Sequence, residues 1–299
     1  MALRGKKPET IEKRLKALFY GTAGAGKTTA AIQFPKPYLI DTEKGAVNEQ
    51  YTEIITKQGG VIFQTSDFDE LLEECKALLT EKHEYKTLII DPLTVLYNDL
   101  LDKAALKVGT EFGRHYGEAN KKMKQLLNLL LKLDMNVIIT SHAKNEYAEG
   151  MVVIGQTFDC YKKLDYLFDL VLQIDKRGKQ RFGKVIKTRI KGFPEAETFE
   201  FSYQEIAKRY GAHAIEKDAT PITLATPQQI SELEHLLDVI KIPQDKIDSW
   251  LNKCAADSIK DVTSEQIGKF INYLKEQVNG NTNSNQNSST QTIQKDSNN

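Results

Sequence analysis

The sequence predicts an α/β protein: a mostly parallel sheet flanked by helices, then a small helical domain and a disordered polar tail. Three observations carry this. Up to about residue 215, short runs that are apolar at nearly every position alternate with amphipathic stretches, the pattern of parallel βαβ units. A glycine-rich stretch at 21–28 separates the first apolar run from a helical pattern. Beyond residue 225 the periodicity becomes purely helical, and beyond 279 the chain is almost wholly polar.

Bulk composition sets the limits. The chain of 299 residues is 40% hydrophobic and 27% charged, with no net charge, which describes an ordinary soluble globular protein. No apolar run approaches the roughly 20 residues that span a bilayer, so no membrane partner is expected. The basic start, MALRGKKPETIEKRLK, lacks the apolar segment of a secretion signal. Cys75, Cys160 and Cys254 are odd in number and far apart, which argues against a disulfide framework or a zinc cluster and for a cytoplasmic location. With zero net charge, contact with nucleic acid would depend on local patches.

In chain order, strands are expected over 17–20, 38–41, 61–64, 87–91, 136–141, 170–175 and 184–190. Helices are expected over 67–79 and 118–133, the latter with Met123, Leu126, Leu127 and Leu130 on one face. These elements assign a core to 1–215 and a linker to 216–225. A helical domain follows over 226–279, and a disordered polar tail over 280–299. Thr226-Pro227-Gln228-Gln229 has the N-cap, first-turn proline and glutamine of a helix start, and Thr263 with Gln266 repeats the capping-box spacing.

The chemistry begins at Gly21-Thr22-Ala23-Gly24-Ala25-Gly26-Lys27-Thr28, which fits G-x-x-x-x-G-K-[ST]. Glycines let backbone N–H groups converge on an anion, and the following helix start, from Thr29, adds partial positive charge. Lys27 would reach the β- and γ-phosphates of ATP, and the Thr28 hydroxyl would hold Mg²⁺. The run Thr87-Leu88-Ile89-Ile90-Asp91 supplies the matching acidic strand end, with Asp91 as the second metal residue. Asp41 and Glu43 end another short strand, Ser141-His142 end a further one, and Lys187 and Arg189 alternate along the last.

GTAGAGKTT, IDTEKGA, LIIDPLT, FGRHYGEANKK and VIITSHAK together resemble the RecA-like recombinases, most of all the phage-encoded, single-core ATPases that sit with single-strand annealing and recombination functions. The resemblance covers about residues 15–205 and implies a RecA-like P-loop NTPase core. It implies that Glu43 polarises the attacking water and that His142, where glutamine is common, senses the γ-phosphate. It also implies that Lys187 and Arg189 reach the nucleotide of a neighbouring subunit, so that the protein forms a ring or filament. Two regions, 103–116 and 143–163, are expected to be loops with cations and aromatics suited to single-stranded DNA, through Lys107, Arg114, Lys144, Lys162 and Lys163. A single-strand-binding protein is a candidate partner. A small-molecule kinase would need an arginine-bearing lid, and a helicase loader a sensor arginine in the C-terminal helices. The scattered arginines count against the first and the absence of arginine from 226–279 counts against the second, while a helicase-like motor stays open as the alternative.

Overall fold

Leu18, Phe19, Ile89, Ile90, Ile138 and Ile139 are all fully buried, because neighbouring residues in these runs face opposite sides of a sheet covered on both. The structure is a computed structural model describing residues 13–45 and 48–289, with residues 277–289 described by backbone alone. The first twelve residues of the expected core and residues 290–299 of the expected tail lie outside the described residues. The strands are β1 (Lys16–Gly21), β2 (Pro37–Asp41), β3 (Val61–Gln64), β4 (Thr87–Asp91), β5 (Asn136–Tyr147), β6 (Val153–Phe158), β7 (Leu170–Arg177), β8 (Gln180–Thr188) and β9 (Thr198–Glu200). They lie in the order β3-β2-β4-β5-β1-β7-β8-β9, with β6 paired to β5. The six from β3 to β7 are mutually parallel. The β5–β6, β7–β8 and β8–β9 pairs are antiparallel.

The helices of this unit are α1 (Lys27–Ala31), α2 (Glu49–Lys57), α3 (Phe68–Thr80), α4 (Leu93–Val108), α5 (Arg114–Lys132), α6 (Leu164–Leu167), α7 (Tyr203–Tyr210) and α8 (Ala212–Glu216). Asp67 starts α3 by accepting from the Asp69 and Glu70 amides at 2.7 and 3.1 Å. One face of the sheet buries Ala17, Phe19 and Ile138 with Ala30 and Ala31 of α1, Ile55 of α2 and Ile206 of α7. On the other face α3, α4 and α5 pack together, and α4 lies against β5. The α5 helix buries the four predicted residues, Met123, Leu126, Leu127 and Leu130, together with Ala119 and Leu129.

Three expectations change. The segment 103–116 is not a loop: α4 runs to Val108 and α5 begins at Arg114 after one 3-10 turn, because Leu100 and Ala104 continue the buried face of α4. The segment 143–163 opens with a hairpin of β5 on β6, whose ladder is made by backbone groups and therefore tolerates polar side chains. The strand expected from 184 begins at Gln180 and runs antiparallel to β7.

The chain divides at Pro221/Ile222. The second unit contains α9 (Pro227–Ile240), α10 (Gln244–Lys253) and α11 (Ser264–Ser289). Its core gathers Leu233, Leu237, Val262, Ile267, Ile271 and Leu274, and Trp250 stacks on Phe270 with ring centroids 4.3 Å apart. Thr226 and Gln229 form the predicted capping box. The Gln266 amide and carboxamide both engage Thr263, at 3.2 Å each. The α11 backbone stays helical to Ser289, past the point where composition gave no reason for order. Extending an anchored helix requires no new nucleation.

Candidate functional site

The sheet order decides where a ligand sits. The chain leaves β1 toward β2 on one side and passes from β5 across β1 to β7 on the other. Ligands of open α/β sheets bind beyond the carboxyl ends of the strands at such a reversal. The register brings those ends level: Gly21 lies beside His142 and Asp41 beside Asp91.

Only glycine fits at the start of the loop, because a Cβ on Gly21 would stand 2.3 Å from the Ile174 carbonyl oxygen of β7. Gly26, at φ 95°, turns the chain into α1 in the left-handed region, and no side chain caps the helix. Ala25 is buried in the core, while Ala23 and Gly24 line the cleft. The exposed Thr22 and the Thr29 of α1 complete the predicted set. Lys27 crosses the loop, its Nζ donating to the Gly21 and Thr22 carbonyls at 2.8 and 3.0 Å. Burial lowers its pKa, opposed by the Asp91 and Glu43 carboxylates.

Asp91 accepts hydrogen bonds from the hydroxyls of Thr140 and Thr28. Burial pushes its carboxyl pKa up, while those hydroxyls and the Lys27 charge pull against the shift and Asp41 adds to it. Asp41 accepts from the Gly45 amide at 3.2 Å and the Gln64 amide group at 3.1 Å, which ties down the segment carrying Glu43. Glu43 Oε1 lies 3.2 Å from His142 Nε2, both side chains nearly half exposed. The His142 amide donates to Thr94 Oγ1 at 3.0 Å, and that hydroxyl also meets Ser141 Oγ at 3.0 Å. Lys27, Thr28, Asp41, Glu43, Asp91 and His142 line a cleft of about 280 Å³ together with Asn48 and Tyr51.

This set fits a nucleoside triphosphate with Mg²⁺: a glycine cradle with its helix start uncapped, a lysine across it, and a hydroxyl paired with a carboxylate. Among the described residues no three His, Cys, Asp or Glu side chains form a metal cluster. A Mg²⁺ shared with phosphates needs only one or two protein oxygens.

Other predicted residues lie elsewhere. Lys187 and Arg189 sit where β8 pairs with the start of β7, level with the start of β1 and away from the loop. Lys187 donates to the Phe168 carbonyl, and Arg189 donates to the Tyr166 carbonyl at 2.6 Å and faces Asp169 at 3.6 Å. Neither enters the cleft of its own chain; alternation along a strand gave the face of the sheet but not the end. Lys107 pairs with Glu118 at 2.5 Å and Lys144 with Asp159 at 3.0 Å. Arg114 opens α5, and Lys162 and Lys163 are exposed just before α6. Thr94 and Thr140 went unrecognised, because a hydroxyl inside an apolar run carries no local signal of what it touches.

No curated protein matches the chain. Among solved structures, the crystal structure of the RadB recombinase is similar at 21% identity and a TM-score of 0.47, covering 64% of this chain and 88% of that one. The AAA domain family model matches residues 13–199, which is more than half the chain and takes in the phosphate loop, β4 and β5. This chain therefore belongs to the AAA domain family.

Proposed function

We propose that the protein is an ATPase of homologous recombination, of the phage-encoded kind, that binds single-stranded DNA and promotes its annealing. The observation that carries the ATPase reading is the convergence of Lys27, Thr28, Asp91, Glu43 and His142 on one cleft at the strand ends. Lys27 holds the β- and γ-phosphates, and the loop amides orient them. Thr28 and Asp91 would hold Mg²⁺, which supplies charge neutralisation to the phosphates. Glu43, steadied by His142, takes the proton of the attacking water. Hydrolysis then resets the assembly state of a homo-oligomer on DNA, to whose neighbouring cleft Lys187 and Arg189 would contribute.

The DNA reading draws on exposed surfaces beyond the same strand ends. Phe112 and Tyr116 are 97% and 51% exposed beside Arg114, and Tyr147 is 52% exposed on the β5–β6 hairpin near Lys144. Bases can stack on such rings while the cations meet phosphates.

The test is phosphate release with and without single-stranded DNA. Wild type should turn over ATP faster with DNA. Lys27→Ala should lose turnover, and Glu43→Gln should bind nucleotide while releasing phosphate about 10²–10⁴-fold more slowly. Turnover untouched by Lys27→Ala and by DNA would overturn the reading.

A further inference from the structure

A second cation approaches the phosphate loop from the side opposite Asp91 and Glu43. Arg181 lies at the start of β8, and a Cβ built on Gly26 would stand 2.8 Å from its Nε and 2.9 Å from its Cδ. The space a side chain at Gly26 would need is thus filled by Arg181. The placement is fixed by the strand. Residues 181, 183 and 185 of β8 share one face; Gly183 meets Phe199 and Phe201 there, and Val185 joins these rings in one core with Ala25, Ala30 and Ala31. Arg181 therefore points to the side of the sheet that carries α1. Its carbonyl accepts from the Phe201 amide at 2.8 Å, and its Nη1 donates to the Lys179 carbonyl at 2.9 Å.

Of the described arginines only Arg114, at the start of α5, and Arg181 lack a carboxylate partner, and of these two it is Arg181 that lies against the phosphate loop. Arg14, Arg177, Arg189 and Arg209 each lie within 4.0 Å of a carboxylate, at 2.8, 3.0, 3.6 and 2.7 Å. Among the described residues no carboxylate lies that close to Arg181. A guanidinium held against an anion cradle with no carboxylate of its own keeps its donors for an arriving phosphate.

The sheet order says which phosphate. Asp91, Glu43 and His142 come from or just beyond β4, β2 and β5, all on one side of β1, whereas Arg181 comes from β8 on the other. A nucleotide whose terminal phosphate faces Glu43 and Asp91 directs its nucleoside end toward β8. We propose that Arg181 binds the α-phosphate end of the nucleotide, in the diphosphate and triphosphate alike. This rests on the reading that the loop holds a nucleotide.

The test is titration calorimetry of the full chain with ADP and with ATP, both with Mg²⁺. Arg181→Ala should weaken both by a similar factor of about 10–100, the worth of a charge-assisted hydrogen bond, and Arg181→Lys should recover part of it. Arg181→Met, which keeps the bulk beside Gly26, should match Arg181→Ala if charge is what matters. A loss confined to ATP, or no loss for either nucleotide in variants that melt like wild type, would overturn the proposal while leaving the ATPase reading intact. Wild type that binds neither nucleotide would overturn the ATPase reading itself, and this one with it.

Discussion

Lys16 is a side chain whose surroundings change its chemistry. It opens β1, only 7% exposed, with its Nζ donating to the Leu133 and Met135 carbonyls at 2.9 and 2.8 Å. Burial lowers its pKa to about 7, despite the opposing charges of Asp134 and Asp169. Between that value and its ordinary 10.5 the unfolded chain holds the proton and the folded chain does not. Folding stability contributed at this site therefore rises as pH climbs through that window and is fully reduced below it. Urea melts from pH 7 to pH 10 should show wild type gaining stability relative to Lys16→Met as pH rises. Parallel curves for the two proteins would refute the assignment.

At the scale of elements, the helix start at Thr226 is encoded locally: its hydroxyl accepts from the Gln229 amide at 3.2 Å, and the Gln229 side chain accepts from the Thr226 amide at 3.0 Å. Thr226→Ala should lower the unfolding free energy of the C-terminal unit by about 1 kcal/mol, read as a shift in its denaturation midpoint. Such features were legible because cause and effect lie within a few residues. The same holds for the strands from β1 to β4 and for the phosphate loop, whose spacing alone puts Lys27 and Thr28 on the cradle. What escaped depends on distant partners. The β5–β6 hairpin and β9 are held by backbone ladders that leave little apolar pattern. The Glu43–His142 pair joins residues 99 positions apart in sequence, and its 3.2 Å contact exists only because β4 lies between β2 and β5. Arg181 reaches Gly26 only because β8 returns antiparallel to β7, a pairing that no local pattern encodes.

At the scale of the molecule, two units with separate apolar cores predict two thermal transitions. On the proposed function ADP would bind the unit that carries the loop, so at a hundredfold excess over Kd it should stabilise that unit by about 2.7 kcal/mol and raise its transition by about 5–10 °C. The other transition should stay in place, and scanning calorimetry would show otherwise if both moved together. One further property follows from β5 being a single unbroken strand from Asn136 to Tyr147. Its first half is clamped between β4 and β1, His142 stands at the cleft, and its last residues carry the exposed hairpin. Beyond His142 the strand runs in regular register with β6 as far as Glu146, where the ladder shifts before Tyr147. On the proposed function, free-energy linkage would bind the two ends as a balance: whatever factor ATP imposes on the hairpin's affinity for single-stranded DNA, that DNA would impose on ATP.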